Sequence, residues 1–150
     1  MAIDNTPRLV PHLVVDDAAA AIDFYIRAFN ATEEVRLPGP DGKLMHACVT
    51  INGAQVFLND DYPEYNDGKS STPTALGGTP LTIHLHGADV EGRFQQAVDA
   101  GATVMMPLED QFWGDRYGLV RDPFGHQWSL AETVREVDIS EIASTAARGD

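Results

Sequence analysis

Basic residues are scarce in this chain: 10 Lys and Arg stand against 23 Asp and Glu, a formal net charge of −13 at pH 7. Such a surface repels phosphate backbones and anionic lipid, which argues against nucleic acid or an acidic membrane as partners and leaves small molecules. Cysteine is nearly absent. The single Cys48 cannot close an internal disulfide, and within LMHACVTI it reads as a small buried hydrophobe rather than a reactive thiol. No apolar run approaches the ~20 residues of a membrane-spanning helix. The opening MAIDNTPR lacks the basic start and apolar stretch of a signal peptide, so a cytoplasmic protein is expected. A Gly-rich strand–turn–helix fingerprint is also missing, which removes support for a methyltransferase.

What is present is ordinary globular composition, 43% hydrophobic and 22% charged over 150 residues, enough for a single domain with a real core. RLVPHLVV is short and β-branched, as a strand should be, with Pro11 marking an edge or bulge. Asp16 or Asp17 then caps a helix placing Ile22, Tyr25, Ile26 and Phe29 on one face, closed by Asn30. ATEEVRL, LMHACVTI and AQVFLND read as strands, the last two joined by the turn-forming Asn52-Gly53. The second half repeats this plan. PLTIHLHG is a strand, Asp89 caps a helix containing Val90, Phe94, Ala97 and Val98, and Gly101 ends it. ATVMMPL, YGLVRD and HQWSLAE complete the set.

The repeat is visible as an offset. His12 and His84, Gly53 and Gly125, and Asp60 and Glu132 all lie 72 positions apart. The expectation is an α+β fold in which two βαβββ modules, about 8–60 and 80–133, pair about a pseudo-twofold to form a barrel-like cleft. The connection 61–79 is rich in Gly, Pro, Ser and Thr and reads as either a cover for that cleft or a linker. The tail 134–150 predicts a short helix with Val137, Ile142 and Ala146 on one side.

PHLVVDDAAAAIDFYIRAF and DQFWGDRYGLVRDPFGHQWSLAE carry a family likeness. With the matching spacing between them, the chain from Leu9 to Thr133 resembles the vicinal oxygen chelate superfamily of glyoxalase, bleomycin-resistance and dioxygenase proteins, and within it the PhnB-like group. That scaffold hosts isomerases, dioxygenases, thiol transferases and metal-free binding proteins, so the resemblance implies a fold more than a reaction. The resemblance also implies where a metal would be held: one ligand from the first and one from the last strand of each module. Those positions are Val10, Phe57, Thr82 and Ser129, none a good divalent-metal ligand, so the customary site is expected to be absent.

The histidines remain. His12 and His84 lie two residues beyond the vacant positions, and strand alternation puts them on the same face, with His86. They could be structural imidazoles, contact a ligand, or hold a metal. By the same parity Asp60 and Glu132 face the other way, while Gln55, Phe57, Asn59, Gln127, Ser129 and Ala131 line the cleft. A shifted register would instead gather His12, His84 and Glu132 as a metal site. Phe112 and Trp113 could wall an apolar pocket, and Arg116 could pair with Asp115 or meet a substrate carboxylate. His126 is expected to be exposed, and the face of His46 is left open.

Two functions lead the expectations. One is a metal-independent protein that binds a small molecule in the cleft through His12, His84, Gln55, Phe57, Ser129, Trp113 and Arg116, without a cofactor. The other is a lyase, isomerase or dioxygenase that uses Zn, Ni, Fe or Mn held by His12, His84 and Glu132. Metal-free acid–base chemistry by His12 and His84 is a third, with no partner residue evident. Whether the chain is an enzyme stays open, and a homodimer is expected.

Overall fold

The computed structural model describes residues 2–149. Each module is a four-stranded mixed sheet with one helix across it. The first contains β1 (His12–Val15), α1 (Ala18–Phe29), β2 (Thr32–Pro38), β3 (Leu44–Ile51) and β4 (Ala54–Asp60), in the sheet order β1-β4-β3-β2. The connection holds a 3-10 turn, Pro63–Tyr65, and the single-turn helix α2 (Pro73–Leu76). The second module follows as β5 (Thr82–His86), α3 (Val90–Ala100), β6 (Thr103–Asp110), β7 (Asp115–Arg121) and β8 (Gln127–Thr133), in the matching order β5-β8-β7-β6. The tail forms α4 (Ile139–Arg148). The two sheets remain separate, so the paired-module α+β architecture is present without a closed barrel.

Alternation decides which face is core. Leu13 and Val15 on β1 and Val56, Leu58 and Asp60 on β4 are buried toward α1, while His12, Gln55, Phe57 and Asn59 face the other way. On α1 the apolar stripe is wider than expected: Phe24 is buried along with Ile22, Tyr25 and Phe29, whereas Ile26 is 40% exposed. The strand at the start is also shorter. Pro11 has no N–H to donate, so the ladder begins at His12, although the Pro11 carbonyl still accepts from Phe57 N at 2.9 Å.

The modules share one core. Trp128 of β8 is fully buried against Phe29 (4.6 Å between ring centroids) and Tyr25 (5.2 Å) of α1. Phe124 adds an edge contact to Phe24. Asp122, the first residue of DPFG, is buried and accepts from Tyr25 Oη (2.6 Å), Trp128 Nε1 (2.9 Å) and the backbone N–H groups of Phe124 and His126 (both 2.9 Å). Burial, reinforced by the Asp122 carboxylate, pushes the Tyr25 phenol well above its ordinary range. The hairpin tips then lock across the pseudo-twofold. His126 Nε2 lies 2.9 Å from the Val14 carbonyl, and Asn52 Nδ2 donates to the His86 carbonyl at 3.4 Å. His126 is therefore half-buried between modules, not exposed as its turn position suggested.

Close approach of α3 to its sheet depends on Gly118. A Cβ there would lie 2.6 Å from the Phe94 ring, so any larger residue would push the helix off β7. In the connection, Pro73 of α2 abuts the β7–β8 turn, where a Cβ on Gly125 would come within 2.7 Å of it.

Candidate functional site

The carboxylates at or next to the end of each module's last strand, Asp60 and Glu132, are helix caps. Asp60 accepts from Ala18 N at 2.8 Å and from Leu44 N at 2.6 Å. Glu132 accepts from Val90 N at 3.2 Å. Ala18 and Val90 are the first residues of α1 and α3 and lie 72 apart, as Asp60 and Glu132 do, so one device serves both modules. At α3 this replaces the expected cap, because Asp89, at φ 60°, makes no side-chain cap bond. A negative group at a helix N-terminus satisfies an orphan N–H and complements the helix dipole. Glu132 consequently points to the helix side and does not converge with His84, which corrects the shifted metal set of His12, His84 and Glu132. Among the described residues, no three His, Cys, Asp or Glu side chains gather as a metal cluster.

The positions that the resemblance marks for metal do not fit one either. Val10 precedes β1, and the register pairs His12 with Phe57, Thr82 with Gln127, and His84 with Ser129. Val, Phe, Thr and Ser offer no carboxylate, imidazole or thiolate.

On the face away from the helices, each module carries its own histidine cluster. In the first, His12 Nε2 lies 2.6 Å from Asn59 Oδ1. The Asn59 amide nitrogen donates to the Asp60 carbonyl, which leaves Oδ1 to accept and makes His12 Nε2 a donor. His46 joins this face, with its ring 4.9 Å from Phe57 and 6.3 Å from His12. Arg8 Nε donates to Gln55 Oε1 at 2.8 Å. Cys48 lies opposite Phe57 and is buried, which with Glu34 nearby pushes its thiol up, only partly offset by Arg8.

In the second, a hydrogen-bonded chain crosses the sheet. Ser129 Oγ lies 2.7 Å from His84 Nδ1, His84 Nε2 lies 3.4 Å from His86 Nδ1, and His86 Nε2 lies 3.1 Å from Thr133 Oγ1. Thr133 donates onward to Asp115 Oδ1 at 2.8 Å, and Trp113 Nε1 donates to Asp115 Oδ2 at 3.1 Å. Tyr117 stacks on His84 at 6.1 Å and 13°. Desolvation, then repulsion from His86, lowers the His84 pKa against the opposing pull of Asp115. A cavity of about 700 Å³ opens beside Trp113, Asp115 and Thr133, with Arg135, Asp138 and Ile142 of the tail on its far side.

His12 and His84 sit on separate sheets, each with its own partners. Arg116 is on the helix side, bonded to Asp110 (2.7 Å) and Glu91 (2.6 Å), while Asp115 faces Thr133. The expected Asp115–Arg116 pair does not form, because adjacent strand residues point oppositely. Hydrogen bonding to Asp110 raises the Arg116 pKa further and lowers that of Asp110. Sequence reasoning left the face of His46 open, paired Asp115 with Arg116, and gave Tyr117 and Thr133 no role. Parity within LMHACVTI, DRYG and QWSLAET could have placed them, once the hairpin registers were known.

The chain matches the Glyoxalase/Bleomycin resistance protein/Dioxygenase superfamily over residues 7–130. An uncharacterized protein of Mycobacterium bovis, Mb0911c, is 63% identical, with 100% of this chain and 99% of that protein covered. The crystal structure of TioX from Micromonospora sp. ML1 aligns with a TM-score of 0.66 at 29% identity, covering 86% of this chain and 100% of that one. A PhnB protein from Bacillus cereus shares the fold, with a TM-score of 0.61 at 20% identity and coverage of 84% and 99%. On this match and on the doubled module, the chain belongs to the Glyoxalase/Bleomycin resistance protein/Dioxygenase superfamily.

Proposed function

We propose that the protein is a cytoplasmic homodimer that binds a small molecule on its histidine-bearing sheet faces and works without the customary metal site. One observation carries the reading: both carboxylates that close the last strands are engaged on helix N-termini, and the family's ligand positions hold Val10, Phe57, Thr82 and Ser129. What the open faces offer is imidazole, hydroxyl, amide and aromatic surface. His12, Gln55 and Phe57 would contact a ligand in one module, and His84, Ser129 and Trp113 in the other. Arg116 is held by two carboxylates on the helix side and drops out of the set. Pairing of two chains is favoured by the apolar residues left on outer strands, among them Leu37 of β2 and Val104 and Met106 of β6.

Elemental analysis of tag-free protein purified without chelator, alongside His12→Ala and His84→Ala, tests the metal question. Trace metal in all three is the expected result. Near-stoichiometric Zn, Ni, Fe or Mn, lost in both variants, would move the protein to the metal-dependent lyase, isomerase or dioxygenase class. Sedimentation equilibrium should return a dimer mass, and a monomer mass independent of concentration would sink the homodimer.

A further inference from the structure

The chain of hydrogen bonds on the second module has a fixed direction. The Asp115 carboxylate only accepts, so the single hydroxyl proton of Thr133 is committed to it. Thr133 Oγ1 must then accept from His86 Nε2–H. A neutral His86 with its proton on Nε2 presents a lone pair at Nδ1, which accepts from His84 Nε2–H. A neutral His84 so arranged has its own lone pair on Nδ1, and Ser129 donates to it. Both tautomers follow from the identity of one carboxylate.

Every link is short except one. The His84 Nε2 to His86 Nδ1 separation of 3.4 Å is at the outer limit of a hydrogen bond, and both residues are exposed. Breaking that link leaves a donor and an acceptor side by side, already oriented by Ser129 on one side and by Thr133 on the other. The stacked Tyr117 and, 6.2 Å beyond it, Trp113 provide flat apolar surface beside the pair. Building on the small-molecule reading above, we propose that the His84–His86 edge binds the acidic hydroxyl of a small enol or phenol, His84 Nε2–H donating to its oxygen and His86 Nδ1 taking its proton.

The step balances without an oxidant or a metal. The ligand O–H bond breaks, an N–H bond forms at His86 Nδ1, and the electron pair stays on the ligand oxygen as an anion bonded to His84 Nε2–H. The imidazolium left on His86 keeps its Nε2–H on Thr133 and, through it, faces the Asp115 charge. The groups around the pair are His86 on its own strand, Asp115 and Tyr117 from β7, and Ser129 and Thr133 from β8. In this arrangement His86 is the base and His84 the anion-holding donor.

The probe is 4-nitrophenol, whose phenolate alone absorbs visible light and which titrates near neutral pH. Binding is followed separately by the probe's proton NMR signals, and its ionisation by absorbance against pH at saturating protein. The apparent pKa of the bound probe should fall by about one unit, a tenfold gain in phenolate at fixed acidity. His86→Gln should abolish the fall, Asp115→Asn should reduce it, and Gln95→Ala on the exposed side of α3 should leave it intact, with circular dichroism confirming that each variant folds. A bound probe that titrates as it does free, or that shifts equally in His86→Gln, overturns the assignment. Failure of 4-nitrophenol to bind at millimolar concentration overturns it as well. Neither outcome sinks the broader binding reading, which falls only if a library of neutral ligands leaves the NMR signals of both histidine faces unmoved.

Discussion

Tyr25 donates its hydroxyl to Asp122 at 2.6 Å across 97 positions of sequence, joining the helix of one module to the turn of the other. Because Asp122 also receives Trp128 Nε1 and two backbone N–H groups, a single carboxylate organises the shared core. Tyr25→Phe removes one donor and leaves the others in place, an expected loss of about 1–2 kcal/mol in urea denaturation. Asp122→Ala leaves the buried Tyr25 hydroxyl and Trp128 N–H unpaired and should cost roughly 3 kcal/mol or more. Equal losses in the two variants would mean that the carboxylate's other bonds contribute little.

The helix caps make a graded prediction. Asp60→Ala abolishes two bonds to buried backbone donors and should destabilise by about 2–3 kcal/mol. Glu132→Ala loses one longer bond from a partly exposed side chain and should cost only about 0.5–1 kcal/mol. Denaturant midpoints decide this, and the metal content of both variants should match that of the wild type.

His84 gives a dependence on pH. Its folded-state pKa lies below the ordinary value of 6.5 because partial desolvation of this accessible ring and the neighbouring His86 both disfavour the imidazolium. The unfolded chain therefore binds the proton first as pH falls. The stabilisation tied to neutral His84 is complete above the ordinary imidazole value and is lost as pH drops from there through the folded-state value. Histidine NMR titration should show the low midpoint, and His86→Ala should raise it toward the ordinary value. A His84 midpoint at or above that value would contradict the geometry.

The fold was legible because its signals are local and doubled. Alternation in AQVFLND and HQWSLAE, the Asn52-Gly53 turn and the 72-residue offset all act over a few residues or repeat. Parity even placed Asp60 and Glu132 on the correct side of their strands. What they do there was hidden, since a cap is defined by where a helix begins in space, and the nearer Asp89 looked the better candidate. His126 illustrates the same limit: its partner, the Val14 carbonyl, lies 112 positions away. Sequence symmetry relates equivalent residues without saying whether their faces meet.

The burial of Trp128 against Tyr25 and Phe29 bears on how such a chain arose. If the doubled module descends from duplication of a half-length ancestor, that ancestor had no second half to cover its helix. Its aromatic stripe would have faced water until another copy of the same peptide covered it. Fusion into a single chain turned an encounter between molecules, dependent on their abundance, into a contact made within one molecule at any dilution. The crossed bonds from Asn52 and His126 to the opposite first strand are, on this view, the surviving trace of an interface between two independent molecules.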